Sequence, residues 1–379
     1  MGILLLLISF GTLSAVILTP ALPGLSLEFG VSEAKAQLTM SIFLIGYTLG
    51  QLPYGPVANR FGRKKTIYIG IGLMIMGSFL AISAPSFSVL LLSRFIQALG
   101  AAVGLKITFT MISDQHVGQA ATKAISILSF AFTVMPAMGV TIGGYIVEFW
   151  GWRGSFVFLS FYAVLLALLV LFLPETSKEL DRGALHIKKI ARGYLNQFKN
   201  RTIVFNAMFM GLISSTSYLF ATLSPYVGIL HIGLAPAQFG LWNMILCVGL
   251  FFGAAFTHWF ARKNKPRIAI LLGILLMAFP AAGMALCFSF SWVNVWTLFI
   301  PVAMMRIGSN AIWSNASSTA LEISHDKSNT SAVMQFINLS LATSALFLVS
   351  AVSPSQMMLL PSALGGIVIL LFSIWVKTR

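Results

Sequence analysis

Residues 46–65 read GYTLGQLPYGPVANRFGRKK. A glycine-rich apolar stretch runs into two prolines, then into Asn59, Arg60, Gly62, Arg63, Lys64 and Lys65, after which the chain becomes apolar again. Two hydrophobic runs joined by a short basic turn describe helices that cross a ~30 Å hydrocarbon layer and return. Gly55 and Gly62 permit a tight turn and close helix approach. Arg60, Arg63 and Lys64 suit a turn held at the membrane surface, beside helix ends or anionic lipid. The stretch ANRFGRKK (58–65) recurs as THWFARKN (257–264), 199 residues later and between the same pair of apolar spans.

The rest of the chain extends that pattern. Of its 379 residues 58% are hydrophobic and 9% charged, too few polar groups to cover the surface of a soluble domain. Twelve spans are predicted, near 3–20, 36–55, 67–85, 88–112, 124–147, 154–174, 202–222, 238–258, 267–288, 293–314, 331–352 and 355–376. The fold class expected is an all-α multi-pass membrane protein of twelve transmembrane helices in two pseudo-symmetric six-helix bundles. Residues 1–174 would form the N-terminal bundle, 175–201 a cytoplasmic linker and 202–379 the C-terminal bundle. The start MGILLLLISFGTL lacks a basic n-region and reads as a first spanning helix. Cys247 and Cys287 lie singly in apolar spans, with no metal or disulfide spacing.

The net charge of +15 is a matter of topology and does not point to nucleic acid. Nineteen of the 24 Lys and Arg residues fall on one side of the twelve spans if the N-terminus lies inside. Lys35 and Arg153 alone fall on the other. The positive-inside rule therefore puts both termini in the cytoplasm. The linker ETSKELDRGALHIKKIARGYLNQFKNR (175–201) is basic and amphipathic, as an interfacial helix or a solvated connection would be. Two six-helix halves are a transporter architecture, with a substrate site expected near the midplane between them. Nothing resembles a nucleophile–base set or a metal cluster, so no enzyme is expected.

The 46–65 stretch resembles the signature between helices 2 and 3 of the major facilitator superfamily, roughly G-x-L-x-D-R-x-G-R-R/K. RFIQALGAAVG (94–104) is similar to that family's helix 4 pattern, and MPAMGVTIGGYI (135–146) resembles the helix 5 motif of its antiporters. WGWRGSFVF (150–158) and LPET (173–176) match the borders of helix 6. TPALPGLSLEFGVS (19–32) and SPYVGILHIGLAPAQFG (224–240) resemble the bicyclomycin-resistance (Bcr/CflA-type) branch of the drug:proton antiporters. The resemblance implies alternating access, with Gly55, Asn59, Arg60, Gly62, Arg63 and Asp114 serving conformational switching. Pro136, Gly139, Gly143 and Gly144 would form the helix 5 motif, a close-packed helix contact.

Three departures stand out. Asn59 occupies the signature's Asp position, which leaves Asp114 as the expected carboxylate partner of Arg60 and Arg63. Val16 stands where the branch carries an Asp in helix 1. Val140 replaces the antiporter motif's second proline.

The charges inside the spans are cations. Arg94, Lys106 and Arg306 lie there, while all nine carboxylates fall in loops or at span ends. A lysine facing lipid near the bilayer centre costs about 3 kcal/mol on insertion scales, so Lys106 of GAAVGLKITFTM (100–111) is expected to face a watery cavity. Helix 10, with Arg306, is the repeat partner of helix 4, with Arg94, so both are expected to face it too. With Asn310 and Gln335, these residues are the predicted substrate contacts.

The charge pattern points to export of an anionic, oxygen-rich metabolite such as a polycarboxylate or siderophore. The branch resemblance points instead to proton-coupled efflux of cationic or lipophilic drugs. A non-transporting ligand sensor is the alternative from another class. Expected partners are the small-molecule substrate, membrane lipids and protons as coupling ion, with no nucleic acid, metal or cofactor. A monomer in the bacterial cytoplasmic (inner) membrane is expected.

Overall fold

The computed structural model describes every residue except 117–118, 178–179, 182, 186–193, 262–265, 325–326, 353–355 and 378–379. Much of the expected interfacial helix in 175–201 lies outside the described residues, as do Arg262, Lys263 and Lys265 of the second basic turn. The chain divides into two compact units, Met1–Ala21 with Thr39–Arg192, and Leu22–Leu38 with Gly193–Arg379.

The helices of the N-terminal half are α1 (Gly2–Val16), α2 (Leu22–Glu28), α3 (Glu33–Ala36), α4 (Leu38–Phe61), α5 (Arg63–Ile82), α6 (Phe87–Gln115) and α7 (Gln119–Val170). Those of the C-terminal half are α8 (Arg201–Pro225), α9 (Pro236–Asn243), α10 (Ile245–Ala261), α11 (Pro266–Ser289), α12 (Val295–Glu322), α13 (Lys327–Ser350) and α14 (Leu359–Lys377). Among the described residues ten segments are long and apolar enough to cross a membrane. One of them breaks at Gly151, whose φ of 67° interrupts α7 and divides it into two crossings. The 24-residue α4 spans ~36 Å, and its two prolines, Gln51, Asn59 and Arg60 explain its lower hydropathy. Twelve transmembrane helices result.

Within the first unit α5 packs on α6 and on α7, and α1 packs on α6 and α7. Within the second the same pairs recur as α11 on α12 and α14, and α8 on α12 and α13. Glycines set the register in both, because apolar helices in lipid associate by close van der Waals packing. A Cβ on Gly100 would run into the carbonyl of Gly70, and one on Gly308 into that of Gly273. A Cβ on Gly50 would lie 2.9 Å from the Leu99 carbonyl, and one on Gly253 3.0 Å from that of Arg306.

These contacts correct the register of the repeat. Gly50 and Gly70 have counterparts 203 residues on, at Gly253 and Gly273, and α5 and α11 begin the same distance apart. The recurrence of ANRFGRKK as THWFARKN, 199 residues on, lies in the correct turn but one helical turn out of register. Gly100 and Gly308 are 208 apart, so Arg306 is the equivalent of Ala98, one turn beyond the position matching Arg94.

Candidate functional site

The turn between α4 and α5 is built around Gly62, whose φ of 94° few other residues adopt. The first N–H groups of α5 have no intrahelical acceptor. The carboxylate of Glu175, beyond the end of α7, takes their place. Arg63 N donates to its Oε1 at 2.9 Å and Lys64 N to its Oε2 at 3.0 Å, with Ser177 N adding 2.9 Å to Oε1. A Cβ on Gly62 would sit 2.8 Å from Glu175 Oε2. Partial burial raises the Glu175 pKa, but the backbone N–H groups of Ser177, Arg63, Lys64 and Thr176 outweigh it and hold the carboxyl below its ordinary value.

Arg63 completes the cluster. Its Nε donates to Asp114 Oδ2 at 3.0 Å, an ion pair, and its Nη1 to Asn59 Oδ1 at 2.7 Å. Thr176 Oγ1 donates to the same Asp114 oxygen at 2.9 Å. The backbone N–H of Asp181 donates to the Asn59 carbonyl at 3.0 Å. Asn59, Gly62, Arg63 and Asp114 thus share one corner of the first unit, while Gly55, two turns before Gly62 on α4, lies beside Lys106. Arg60 is partly buried on the last turn of α4.

Arg94 is 1% exposed and closed in by protein. Its Nη1 donates to Gln97 Oε1 at 2.6 Å and to Ser14 O at 3.0 Å; Nη2 reaches Ser14 O and Ala15 O, and Nε reaches Thr39 O. Gln97 Nε2 continues to Ser78 Oγ at 2.7 Å. The guanidinium lies 4.2 Å from the centre of the Phe43 ring. Ser14 and Ala15 are in the last turn of α1, where carbonyls lose their helical donors. A cation at that negative end of the helix dipole satisfies both needs.

The helix 5 motif grips the same stretch of α1. A Cβ on Gly143 would collide with the Ile17 carbonyl, and one on Gly139 would lie 3.0 Å from Val16 Cγ2. Gly144 is buried and Pro136 partly so, within α7. Gly104 of α6 approaches the Leu7 carbonyl as closely. Twelve residues after Arg94 on α6, about three turns on, Lys106 is partly exposed, its Cε 3.3 Å from where a Cβ on Gly55 would stand.

In the second unit Arg306 Nη1 donates to Ser217 Oγ of α8. Asn310, one turn on, accepts at Oδ1 from Thr257 Oγ1 at 3.3 Å and from Ser314 Oγ at 3.4 Å. Gln335 is partly exposed on α13 and accepts from Asn338 Nδ2 at 2.9 Å. The structure therefore gathers Arg306 and Asn310 on one helix face and leaves Gln335 on another helix. Sequence reasoning missed Glu175, although LPET (173–176) carried it as the border of a helix. It also missed Thr257, inside the quoted THWFARKN.

Residues 4–347 match the family model described as the Major Facilitator Superfamily. Multidrug resistance protein D of Escherichia coli (strain K12) is 26% identical over 325 residues, 84% of this chain and 80% of that one. A bicyclomycin resistance protein homolog of Haemophilus influenzae is 28% identical over 335 residues, 85% of this chain and 80% of the other. Among solved structures the D-xylose-proton symporter aligns with a TM-score of 0.77 at 14% identity, covering 98% of this chain and 96% of the symporter, a likeness of fold.

Proposed function

We propose that this chain, which belongs to the major facilitator superfamily of secondary transporters, exports lipophilic drug-like compounds by alternating access, in exchange for protons. The observation that carries this reading is the pair of resistance proteins, to multiple drugs and to bicyclomycin, that it resembles over more than four fifths of its length. The bacterial inner membrane, with both termini in the cytoplasm, is part of the same proposal.

The expectation of an anionic metabolite or siderophore finds no support in those relatives. Its physical basis has also narrowed. It rested on three cations within the spans, and the N–H groups of Arg94 are engaged by backbone carbonyls and Gln97. Of those three, Lys106 and Arg306 keep part of their surface open.

Switching is assigned to the Arg63–Asp114 corner, where α4, α5, α6 and the segment after α7 meet. Lys106, beside Gly55, is assigned to the lining near that corner. The test is expression in a bacterial strain stripped of its own exporters, followed by counterflow in proteoliposomes under an imposed proton gradient. Raised resistance with gradient-dependent flux is the expected result. Resistance unchanged across a broad panel, with no flux, would refute the export reading.

A further inference from the structure

Arg94 and Arg306, the arginines away from the ends of their crossing helices, meet different surroundings. Arg94 has acceptors at Nε, Nη1 and Nη2 and is sealed from solvent. Arg306 lies eleven residues inside α12, ~17 Å from its start, and is partly exposed. Among the described residues its hydrogen-bond acceptor is Ser217 Oγ alone, reached through Nη1. Among the described residues no carboxylate pairs with Arg306, whereas Arg63 has Asp114. A guanidinium has five N–H donors and no acceptor, and most of these remain available.

Asn310, one turn away on the same face, extends the pattern. Its carbonyl oxygen faces the hydroxyls of Ser314, at 3.4 Å, and of Thr257, whose shorter bond of 2.8 Å goes to Gly253 O, and its amide nitrogen has no acceptor among the described residues. Ser217 also has both roles engaged, donating to Ile213 O at 3.4 Å while accepting from Arg306. What this face offers a ligand is hydrogen-bond donors and one positive charge. The close seat of α10, where Gly253 lies against the Arg306 carbonyl and Asn310 Cβ, holds the donors in place.

We propose that Arg306 and Asn310 are a donor-rich, positively charged substrate contact that selects lipophilic compounds bearing acceptor oxygens, as carbonyl, nitro or carboxylate groups, over lipophilic cations. The inference rests on the export reading and names its substrate class. A lipophilic cation meets a like charge there, while the N–H donors around it go unanswered. A neutral or acidic acceptor-bearing compound replaces the hydration that the guanidinium loses in the membrane. A site built to donate rejects ligands that leave its donors unanswered.

The test is binding by purified full-length protein of chloramphenicol, as neutral acceptor-bearing probe, and tetraphenylphosphonium, as cation without acceptors. Counterflow of both is measured alongside. Wild type is expected to bind chloramphenicol at least tenfold more tightly than tetraphenylphosphonium. Arg306→Gln should weaken chloramphenicol about tenfold and strengthen the cation. Asn310→Ala, which leaves the charge in place, should weaken chloramphenicol severalfold without helping the cation. Equal binding of the two probes by wild type, or an unchanged preference in both variants, would overturn the inference while leaving export standing. Absence of flux or binding for every probe would overturn both.

Discussion

Arg63 Nε donates to Asp114 Oδ2 at 3.0 Å, so the first residue of α5 is tied to the last turn of α6. The same guanidinium holds Asn59 Oδ1 at 2.7 Å across the α4–α5 turn. One arginine therefore joins three helices at the corner where the family signature falls, with Asp114 supplying the carboxylate that Asn59 does not.

Asp114→Asn should lower the melting temperature in detergent by an amount equivalent to about 1 kcal/mol, since the pair is only partly buried. Asn59→Asp in that background places a carboxylate beside Arg63 Nη1 and should restore the loss. Melting curves of the single and double variants decide it. An additive double variant would mean that Arg63 does not link the two positions.

Glu175 gives a pH dependence of known sign. Its folded pKa is depressed, so its stabilisation is fully present above the unfolded value of about 4.3 and fades as pH falls through the lower, folded value. Thermal stability should be flat in this respect from pH 6 to 8 and decline below about pH 4.3. Glu175→Gln should flatten that acid decline and lower the plateau at neutral pH. A decline unchanged in the variant would place its origin elsewhere.

Gly62→Ala should cost about 1–2 kcal/mol, because it adds left-handed strain to a Cβ contact 2.8 Å from Glu175 Oε2. Glu175→Ala in the same chain should relieve the contact but not the strain. The recovery measured by thermal melting separates the two.

Arg94→Ala would leave the carbonyls of Ser14, Ala15 and Thr39 and the Gln97 amide without their donor. At about 1–3 kcal/mol for each unsatisfied group, the protein should lose most of its folded yield. Arg94→Lys, with three donors in place of a planar fork, should recover part of it. A well-folded Arg94→Ala with only substrate affinity reduced would assign Arg94 to the ligand instead.

Gly100→Val and Gly308→Val should be comparably destabilising, by about 1–3 kcal/mol or more, since each drives a side chain into the backbone of the partner helix. Gly72→Ala on the exposed face of α5, with nothing within 4 Å of its new Cβ, is the control and should be neutral or mildly stabilising.

Much of the architecture is legible in the chain itself. Hydrocarbon admits only segments that satisfy their own backbone, so apolar run length and the basic turn at 58–65 suffice for the helices and their pairing. Gly139 and Gly143 of the helix 5 motif also announce themselves, whereas the contact of Gly70 with Gly100 emerges only in the packed helices. Linear pattern cannot say which atoms meet. Glu175 is 112 residues from Arg63, and its seat on the start of α5 exists only once α7 has packed against that helix. Arg94 and Arg306 look alike as arginines in apolar spans. Tertiary packing decides that α1 ends against the first and surrounds it with acceptors, whereas among the described residues the second has the hydroxyl of Ser217. The cost of burying a charge is settled by its neighbours in space, and those neighbours come from other helices.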